Sequence, residues 1–302
     1  MKRKFDDIDS LLIWLYIFID KLYNQTELPL YSLRLSNNSV PFFTDTELFT
    51  CAIFTELLKC RSKKDGYLYI RRHYLSWFPN LPTYEVYNRK LNKYQEAICY
   101  IFKIFRNLFA VVSDQKIAQI DTAPITVCKA QHSSCAKAAK PFVSKGFCPS
   151  KKMYYVGVKL QIISQNRANQ LPYPIDYHIE TAQMHDLDIA KLTLPYLDLN
   201  DIDLYGDRGY IDKNFQLDLF ENNHINLITP NKKLKGQPPL TLFQKAYNSI
   251  HSSIRQPIDT LFGWIEDQTN IENASKVRSV DGLFYHINIK MLAALLLLVI
   301  KF

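Results

Sequence analysis

Three strand-like apolar segments follow one another in the middle of this chain, and they constrain its fold more than any other feature. They lie at residues 116–127, 153–164 and 175–182. Helical and strand patterns then alternate, over residues 185–197, 202–205, 212–222 and 225–229. Consecutive strands followed by such an alternation are typical of an α/β protein with a mixed sheet and flanking helices.

The chain before residue 113 has a helical pattern instead. The predicted helices cover residues 10–22, 44–60, 67–77 and 84–109. Thr44 with Glu47 three residues later has the capping-box spacing that begins a helix. The chain is again helical from about residue 242. We therefore predict an all-helical N-terminal region over residues 1–113, which suits either helix-turn-helix-like DNA binding or dimerisation, and a second domain over residues 114–302.

Two apolar runs, at residues 11–19 and 291–300, raise the question of a membrane span. Acidic residues interrupt the approach to the first run, and no small-residue cleavage site follows it. The second run is shorter than the roughly 20 residues that cross a bilayer. We predict that both are buried helices and that the protein has no membrane partner.

The six cysteines show no spacing typical of a disulfide framework, which favours reduced thiols and a cytoplasmic location. A zinc site is the weaker alternative, because its candidate ligands lack the paired C-x2-C spacing. Those candidates are Cys128, His132, Cys135 and Cys148.

Charge is distributed unevenly along the chain, whose formal net charge is +8. Residues 122–175 and 222–258 contain no Asp or Glu, whereas residues 176–221 between them are rich in acids. A basic protein of this kind suits a polyanionic partner such as DNA. Solvated lysine loops are the alternative interpretation.

Three carboxylates stand out against this pattern: Asp121 and Asp259 border the basic segments, and Asp207 lies in the acid-rich segment between them. Each lies at the end of an apolar run or in a short polar break beside one. Two strand ends and a helix can bring such residues to one point, where they repel each other unless cations are bound. Oxygen ligands suit Mg²⁺ or Mn²⁺. The sequence therefore predicts a metal-dependent phosphoryl-transfer site.

Four motifs occur in order along the chain: IDTAP (120–124), GDRGY (206–210), RQPID (255–259) and ASKVRS (274–279). With these motifs the chain from about residue 116 resembles the DDE transposases of bacterial insertion sequences, whose catalytic domain has the ribonuclease H-like fold. The helical region, with YNR at 87–89, resembles the leading part of such proteins less specifically.

This resemblance implies an enzyme that binds double-stranded DNA, both at terminal inverted repeats and at the target. It implies strand cleavage by water and strand transfer by the freed 3′-hydroxyl. Two Mg²⁺ or Mn²⁺ ions are implied, with Asp121 bridging both, Asp207 holding one and Asp259 the other. A homodimer in the synaptic complex and a nucleoid-associated location in the bacterial cytoplasm are also implied.

The third acid departs from the family, which usually has Glu where this chain has Asp259. Some relatives carry an Arg four residues before this acid, which Arg255 matches, and a Lys seven residues after it, where this chain has Glu266. Glu266 is the alternative third ligand. If Pro257 starts a helix, Asp259 and Glu266 share one face but lie roughly 10 Å apart along the axis. We predict Asp259 as the ligand; Glu266, or neither residue, remains open.

Five basic residues are predicted to bind DNA: Lys159, Arg208, Arg255, Lys276 and Arg278. Arg208 could instead pair with a local acid, and Lys159 could point to solvent. Asp186 is predicted to cap a helix rather than bind metal, and Trp264 to pack in the core rather than stack on a base.

The sequence leaves two competing functions beside the active transposase. One is a decayed DNA-binding relic, suggested by Asp259 and by the end of the chain at Phe302 directly after an apolar helix. The other is a different ribonuclease H-like endonuclease.

Overall fold

In the computed structural model, residues 3–32, 41–109, 116–129, 131, 137–149, 151–197, 199, 201–233, 236 and 238–301 are described. The helices of the N-terminal region are α1 (Ile8–Gln25), α2 (Asp45–Leu57), α3 (Lys63–His73), α4 (Tyr84–Lys93) and α5 (Gln95–Leu108). A short strand, β1 (Arg3–Lys4), precedes them. The predicted boundary between two domains at residues 113 and 114 lies outside the described residues and stays a prediction.

Side-chain caps explain where two of these helices begin. Thr44 caps α2 through the predicted capping box with Glu47. Ser62 caps α3, which begins before the predicted residue 67. Gly66 lies inside α3, and its small size is required there because a Cβ would come within 2.8 Å of the Thr55 side chain on α2. The predicted helix over residues 84–109 is two helices, separated at Tyr94.

The first apolar run is only partly buried. Leu11, Leu15 and Ile19 are buried on one face of α1, whereas Ile13 and Ile17 are 48% and 50% exposed. The expectation that this helix is buried is therefore confirmed for the face that carries Leu11, Leu15 and Ile19 and wrong for the face that carries Ile13 and Ile17.

Strands of the main sheet follow the helical region. They are β2 (Ile117–Lys129), β3 (Ser144–Cys148), β4 (Met153–Gln165), β5 (Tyr173–Thr181), β6 (Ile202–Tyr205) and β7 (Ile225–Ile228). β4 pairs antiparallel with β2, β3 and β5, whereas β2, β6 and β7 run parallel to one another. The helices α6 (Asp186–Thr193) and α7 (Lys213–Asn223) connect β5 to β6 and β6 to β7. The predicted ribonuclease H-like mixed sheet with a preceding helical region is confirmed.

One strand of the main sheet escaped prediction, as did the two-residue strands at residues 3–4 and 300–301. β3 is short, carries Lys145 and Gly146, and pairs with the first residues of β4, whose remainder pairs with β5. Its sequence, SKGFC, has neither the length nor the alternation that marks a strand.

The chain ends in α8 (Leu242–Thr269) and α9 (Val280–Val299), with β8 (Ile300–Lys301) pairing parallel to β1. α8 begins at a capping box of Thr241 and Gln244, so the prediction that Pro257 starts a helix is wrong. Pro257 lies inside α8, where it removes one backbone hydrogen bond.

α9 is the central helix of the core. By length and composition it could cross a membrane, but 72% of its most apolar stretch is buried inside the protein. It packs mainly against α5 and also against α2 and α4. Met291, Leu295 and Leu296 are fully buried, as predicted for this run.

Gly157 provides a test of this sheet. A Cβ at this position of β4 would lie 1.9 Å from the Ile125 carbonyl oxygen of β2. We expect Gly157→Ala to lower the free energy of unfolding by about 2–4 kcal/mol, because backbone must move. The matched control is Gly263→Ala in α8, where a Cβ meets nothing within 4 Å. It should stabilise by about 0.5–1 kcal/mol in urea denaturation, since Ala favours helix. Equal effects of the two changes would contradict the packing described here.

Candidate active site

Strand register brings Asp121 and Asp207 to one edge of the sheet. β2 and β6 are parallel neighbours, with Gln119 opposite Tyr205. Asp121 and Asp207 each follow these partners by two residues. Asp121 lies inside β2, just beyond the part of that strand that pairs with β6, whereas Asp207 follows the end of β6. Because adjacent strands lie about 4.8 Å apart, the two carboxylates are neighbours.

α8 is held against this edge by buried polar contacts. The Gln119 side chain donates from Nε2 to the Ile254 carbonyl at 3.0 Å, and its Oε1 accepts from Ser164 Oγ at 3.2 Å. One turn earlier on α8, His251 Nε2 lies 3.1 Å from the Ile228 carbonyl of β7. These contacts fix the rotation of α8 on the sheet, so the residue after Ile254 faces Asp121.

Arg255 joins the strand to the helix. Its Nη1 donates to Asp121 Oδ2 at 2.7 Å, and its Nη2 donates to Asp259 Oδ2 at 2.6 Å. The Asp121 and Arg255 side chains are 19% and 21% exposed, whereas Asp259 is 50% exposed. The guanidinium thus binds two of the three predicted acids.

The electrostatics of Asp121 identify an acidic cluster whose negative charge is only partly compensated. Burial, the largest cause, raises the pKa of Asp121 to about 7, and the charges of Asp207 and Asp259 act in the same direction. Arg255 and the Thr122 backbone N–H oppose this rise in pKa. The guanidinium therefore compensates the cluster only in part.

The loop after β6 is a tight turn built around Asp207. Asp207 Oδ1 accepts from the Gly209 backbone N–H at 2.7 Å. A Cβ on Gly206 would press against the Tyr210 ring at 3.0 Å, which explains the small residue there. Tyr210 is fully buried beneath this edge. Burial raises its pKa well above the ordinary value, and the charges of Asp121 and Asp186 act in the same direction. Arg208 is exposed on this turn and forms no ion pair with any residue that the structure describes.

A second polar network lies on the other face of β2. Asp186 Oδ1 accepts from Thr122 Oγ1 and from Lys159 Nζ, both at 2.9 Å. Successive residues of a strand point to opposite faces, so Thr122 faces away from the Asp121 side chain. Lys159 is therefore held by Asp186 rather than pointing to solvent.

Asp186 also corrects a prediction. It is the first residue of α6, whose N-cap is His185 with no side-chain capping bond. The prediction that Asp186 caps this helix is therefore wrong. Sequence reasoning did not identify the contact of Asp186 with Thr122 and Lys159, because it depends on the pairing of β2 with β4 and on where α6 packs.

Glu266 lies apart from the acidic cluster. Its Oε2 accepts from the Glu272 backbone N–H at 2.8 Å, and burial raises its pKa. It therefore holds the connection that follows α8. Trp264 packs against the main hydrophobic core, as predicted.

Lys276 and Arg278 are exposed in the connection between α8 and α9. Asn270, which ends α8, follows Asp259 by eleven residues, or about 16 Å along the helix axis. These two cations thus lie beyond the C-terminal end of α8, away from the acids.

The chemistry of the donor set fits a hard divalent cation, because the clustered side chains offer only carboxylate oxygens. No three His, Cys, Asp or Glu side chains within the described ranges form a group ready to hold an ion. Arg255 instead lies between two of the predicted ligands. For the zinc alternative, Cys128 and Cys148 are free thiols, and His132 and Cys135 lie outside the described residues.

Comparison with known proteins agrees with this arrangement. A family model described as the transposase DDE domain matches residues 113–296, more than half of the chain. No curated protein and no solved structure matches the chain significantly. The match contains the strands that carry Asp121 and precede Asp207, together with α8 and Asp259. The chain belongs to the DDE transposase family.

Proposed function

We propose that this transposase cuts and joins DNA at the terminal inverted repeats of an insertion sequence by two-metal phosphoryl transfer. The observation that carries the proposal is the convergence of two neighbouring strands and a helix. Asp121 lies inside β2, Asp207 follows the end of its parallel neighbour β6, and Arg255 connects Asp121 to Asp259. Three acids on rigid elements of a DDE domain are the arrangement that such chemistry needs.

Asp121, Asp207 and Asp259 would hold the cations, Mg²⁺ or Mn²⁺. When bound, a pair of divalent ions stabilises both the attacking and the departing oxygen of an in-line displacement at phosphorus. The charges of both Asp207 and Asp259 act on Asp121, so the three carboxylates could hold the cations together. Arg255 must leave the carboxylate oxygens that it now occupies.

The reaction proposed has two displacements. Water attacks a phosphodiester at the element end, a P–O bond to the 3′ oxygen breaks, and a 3′-hydroxyl and a 5′-phosphate result. The freed 3′-hydroxyl then attacks a target phosphodiester, forming a new bond and releasing a target 3′-hydroxyl. Neither displacement requires a covalent protein nucleophile.

The proposed partners are duplex DNA, at the repeats and at the target, and a second copy of this chain in the synaptic complex. A cytoplasmic, nucleoid-associated location in a bacterium follows from the same proposal. Among the predicted DNA-binding residues, Arg208, Lys276 and Arg278 are exposed, which supports their role. Lys159 and Arg255 pair with acids in this conformation and could contact phosphate only after these pairs open.

The first prediction concerns the acids. We expect Asp121→Asn, Asp207→Asn and Asp259→Asn each to reduce Mn²⁺-dependent cleavage of a terminal-repeat duplex by at least about 100-fold, since each removes a charged ligand. Glu266→Gln is the matched control on α8 and should retain activity, because Glu266 contacts Glu272 and not the cluster. Asp259→Glu should retain or raise the rate, as it restores the residue usual in the family.

Two outcomes of this assay would contradict the assignment. Loss of cleavage in Glu266→Gln with activity retained in Asp259→Asn would transfer the third role to Glu266. Specific binding of the duplex without cleavage by the unaltered protein, in Mg²⁺ or Mn²⁺, would instead support the non-catalytic relic.

The second prediction concerns Arg255. Replacing it with Gln should tighten Mn²⁺ binding to the DNA-free protein by roughly 10-fold in isothermal calorimetry, because the guanidinium competes for the same oxygens. Arg71→Gln removes the same charge from the exposed surface of α3 and serves as the control. Unchanged or weaker Mn²⁺ binding in Arg255→Gln would show that the guanidinium does not compete with the ion.

The third prediction concerns pH. Burial raises the pKa of Asp121 to about 7 in the folded protein, above the value of about 3.9 for an unfolded chain. The native state therefore binds the extra proton between these values, and this group lowers stability as pH rises from 4 to 7. In EDTA, urea unfolding of Asp121→Asn should lack roughly 2–4 kcal/mol of that fall.

Asp218→Asn on the exposed side of α7 is the control and should follow the wild-type pH profile. Parallel profiles of wild type and Asp121→Asn would mean that the Asp121 carboxyl is not destabilised in its charged form.

A further inference from the structure

A cavity of about 490 Å³ separates the helical N-terminal region from the connection between α8 and α9. Residues of α3, α4, the α8–α9 connection and α9 line it. Six cations contribute to its wall: Arg61, Lys63, Lys64, Lys276, Arg278 and Lys290. We call this space the basic cleft. Two of its cations, Lys276 and Arg278, belong to the proposed DNA-binding residues, and four do not.

The basic cleft has an excess of positive charge. Glu56 is the one carboxylate among its lining residues, and Lys290 binds it at 3.3 Å. Asp65 and Asp281, in the first turns of α3 and α9, are not part of the lining. No ion pair in the described part of the chain involves the other five cations. The cleft therefore carries positive charge that its own side chains leave uncompensated.

Lys63 is a mostly enclosed cation of the cleft. Its Nζ donates to Asn92 Oδ1 at 2.5 Å and lies 4.2 Å from the centre of the Tyr285 ring. Burial lowers the pKa of Lys63 to about 8, and Glu56 opposes this only in part. The direct contacts of this ammonium group are thus neutral. A bound anion would stabilise its charge more strongly.

Helix termini add donors to the cleft. Ser62 and Ser279, the N-caps of α3 and α9, both line it. Each cap hydroxyl accepts one backbone N–H, from Asp65 and from Gly282 respectively. The other N–H groups of a first turn lack helical partners and favour anions such as phosphate.

The wall of the cleft formed by the α8–α9 connection is hydrogen-bonded to the sheet. In the α8–α9 connection, the Glu272 carbonyl accepts from the Thr126 N–H at 2.7 Å, and the Ala274 N–H donates to the Thr126 carbonyl at 2.9 Å. The connection is thereby attached to β2, the strand that carries Asp121. A ligand in the cleft would join the helical region to the catalytic sheet.

We propose that the basic cleft binds the phosphodiester backbone of duplex DNA. This inference rests on the proposed function, in which the protein binds DNA, and gives that DNA a second contact remote from the acids. Asp259 and the cleft lie at positions about 16 Å apart along α8. If the duplex lies along α8, the cleft contacts phosphates about five base pairs from the cleaved bond, because DNA rises 3.4 Å per base pair.

The test uses a triple variant, Lys64→Gln with Lys276→Gln and Arg278→Gln, in the full chain. Its affinity for a 40-base-pair duplex is measured by fluorescence anisotropy in EDTA, so that cleavage plays no part. We expect a loss of about 10–100-fold at 100 mM KCl, with a salt slope smaller by about one to three. A change no larger than that of the control variant would overturn the proposal.

The control variant removes the same charge elsewhere, through Lys21→Gln, Lys103→Gln and Lys213→Gln, which are exposed on α1, α5 and α7. All six side chains are replaced by Gln, and thermal unfolding followed by circular dichroism should show that both variants are folded. Because binding is measured without metal, loss of DNA binding in the cleft variant leaves the assignment of Asp121, Asp207 and Asp259 intact. Absence of DNA binding by wild type would overturn both proposals.

A second measurement separates DNA backbone from free phosphate. Neutral methylphosphonate is placed at each position of one strand, and affinities of wild type and cleft variant are compared. At one position or more the substitution should weaken wild type by about 3–10-fold and leave the variant unaffected. Competition by inorganic phosphate beyond that of KCl at equal ionic strength, with no such position, would show a free-phosphate site and contradict the DNA contact.

Discussion

The ion pair of Arg255 with Asp121 and Asp259 is the interaction on which the site depends. Asp121 is mostly buried inside β2, where its charge is costly without a partner. Arg255 supplies that partner from α8 and reaches Asp259 one turn further on the same helix. The pair thus neutralises an acid that the fold buries and fixes the helix that brings the third acid. Without the guanidinium, strand and helix would both present carboxylates to the same space and repel each other.

In the proposed function, metal binding at this site requires a change of side-chain position. A guanidinium and a divalent cation compete for the same carboxylate oxygens, and the cation brings the larger charge. The sheet and α8 need no movement for this exchange, because Gln119 and His251 hold α8 independently of Arg255. Arg255 would then be released beside the cluster, where a DNA phosphate is the natural partner for its fork of donors.

The sequence predicted those parts of the site that depend on local patterns. Alternating apolar residues placed Asp121 on a strand, and the short apolar segment at residues 202–205 placed Asp207 just beyond another. Features that depend on tertiary packing were missed. Pro257 is tolerated inside α8 because the helix is already anchored on both sides of it by capping and by packing against the sheet. Asp186 joins Thr122 and Lys159 only through the pairing of β2 with β4, which no local pattern encodes.

The same charges explain why the acidic cluster cannot by itself attract its substrate. Asp121, Asp207 and Asp259 repel phosphate, and Arg255 is already committed to two of them. Lys159, the cation on the neighbouring strand, is likewise committed to Asp186. The attraction that holds a DNA backbone against this edge must therefore come from cations outside the cluster. α8 is the element that connects the two: it carries Asp259 in its second half and ends at the basic cleft, so attraction at one end can position a phosphodiester at the other.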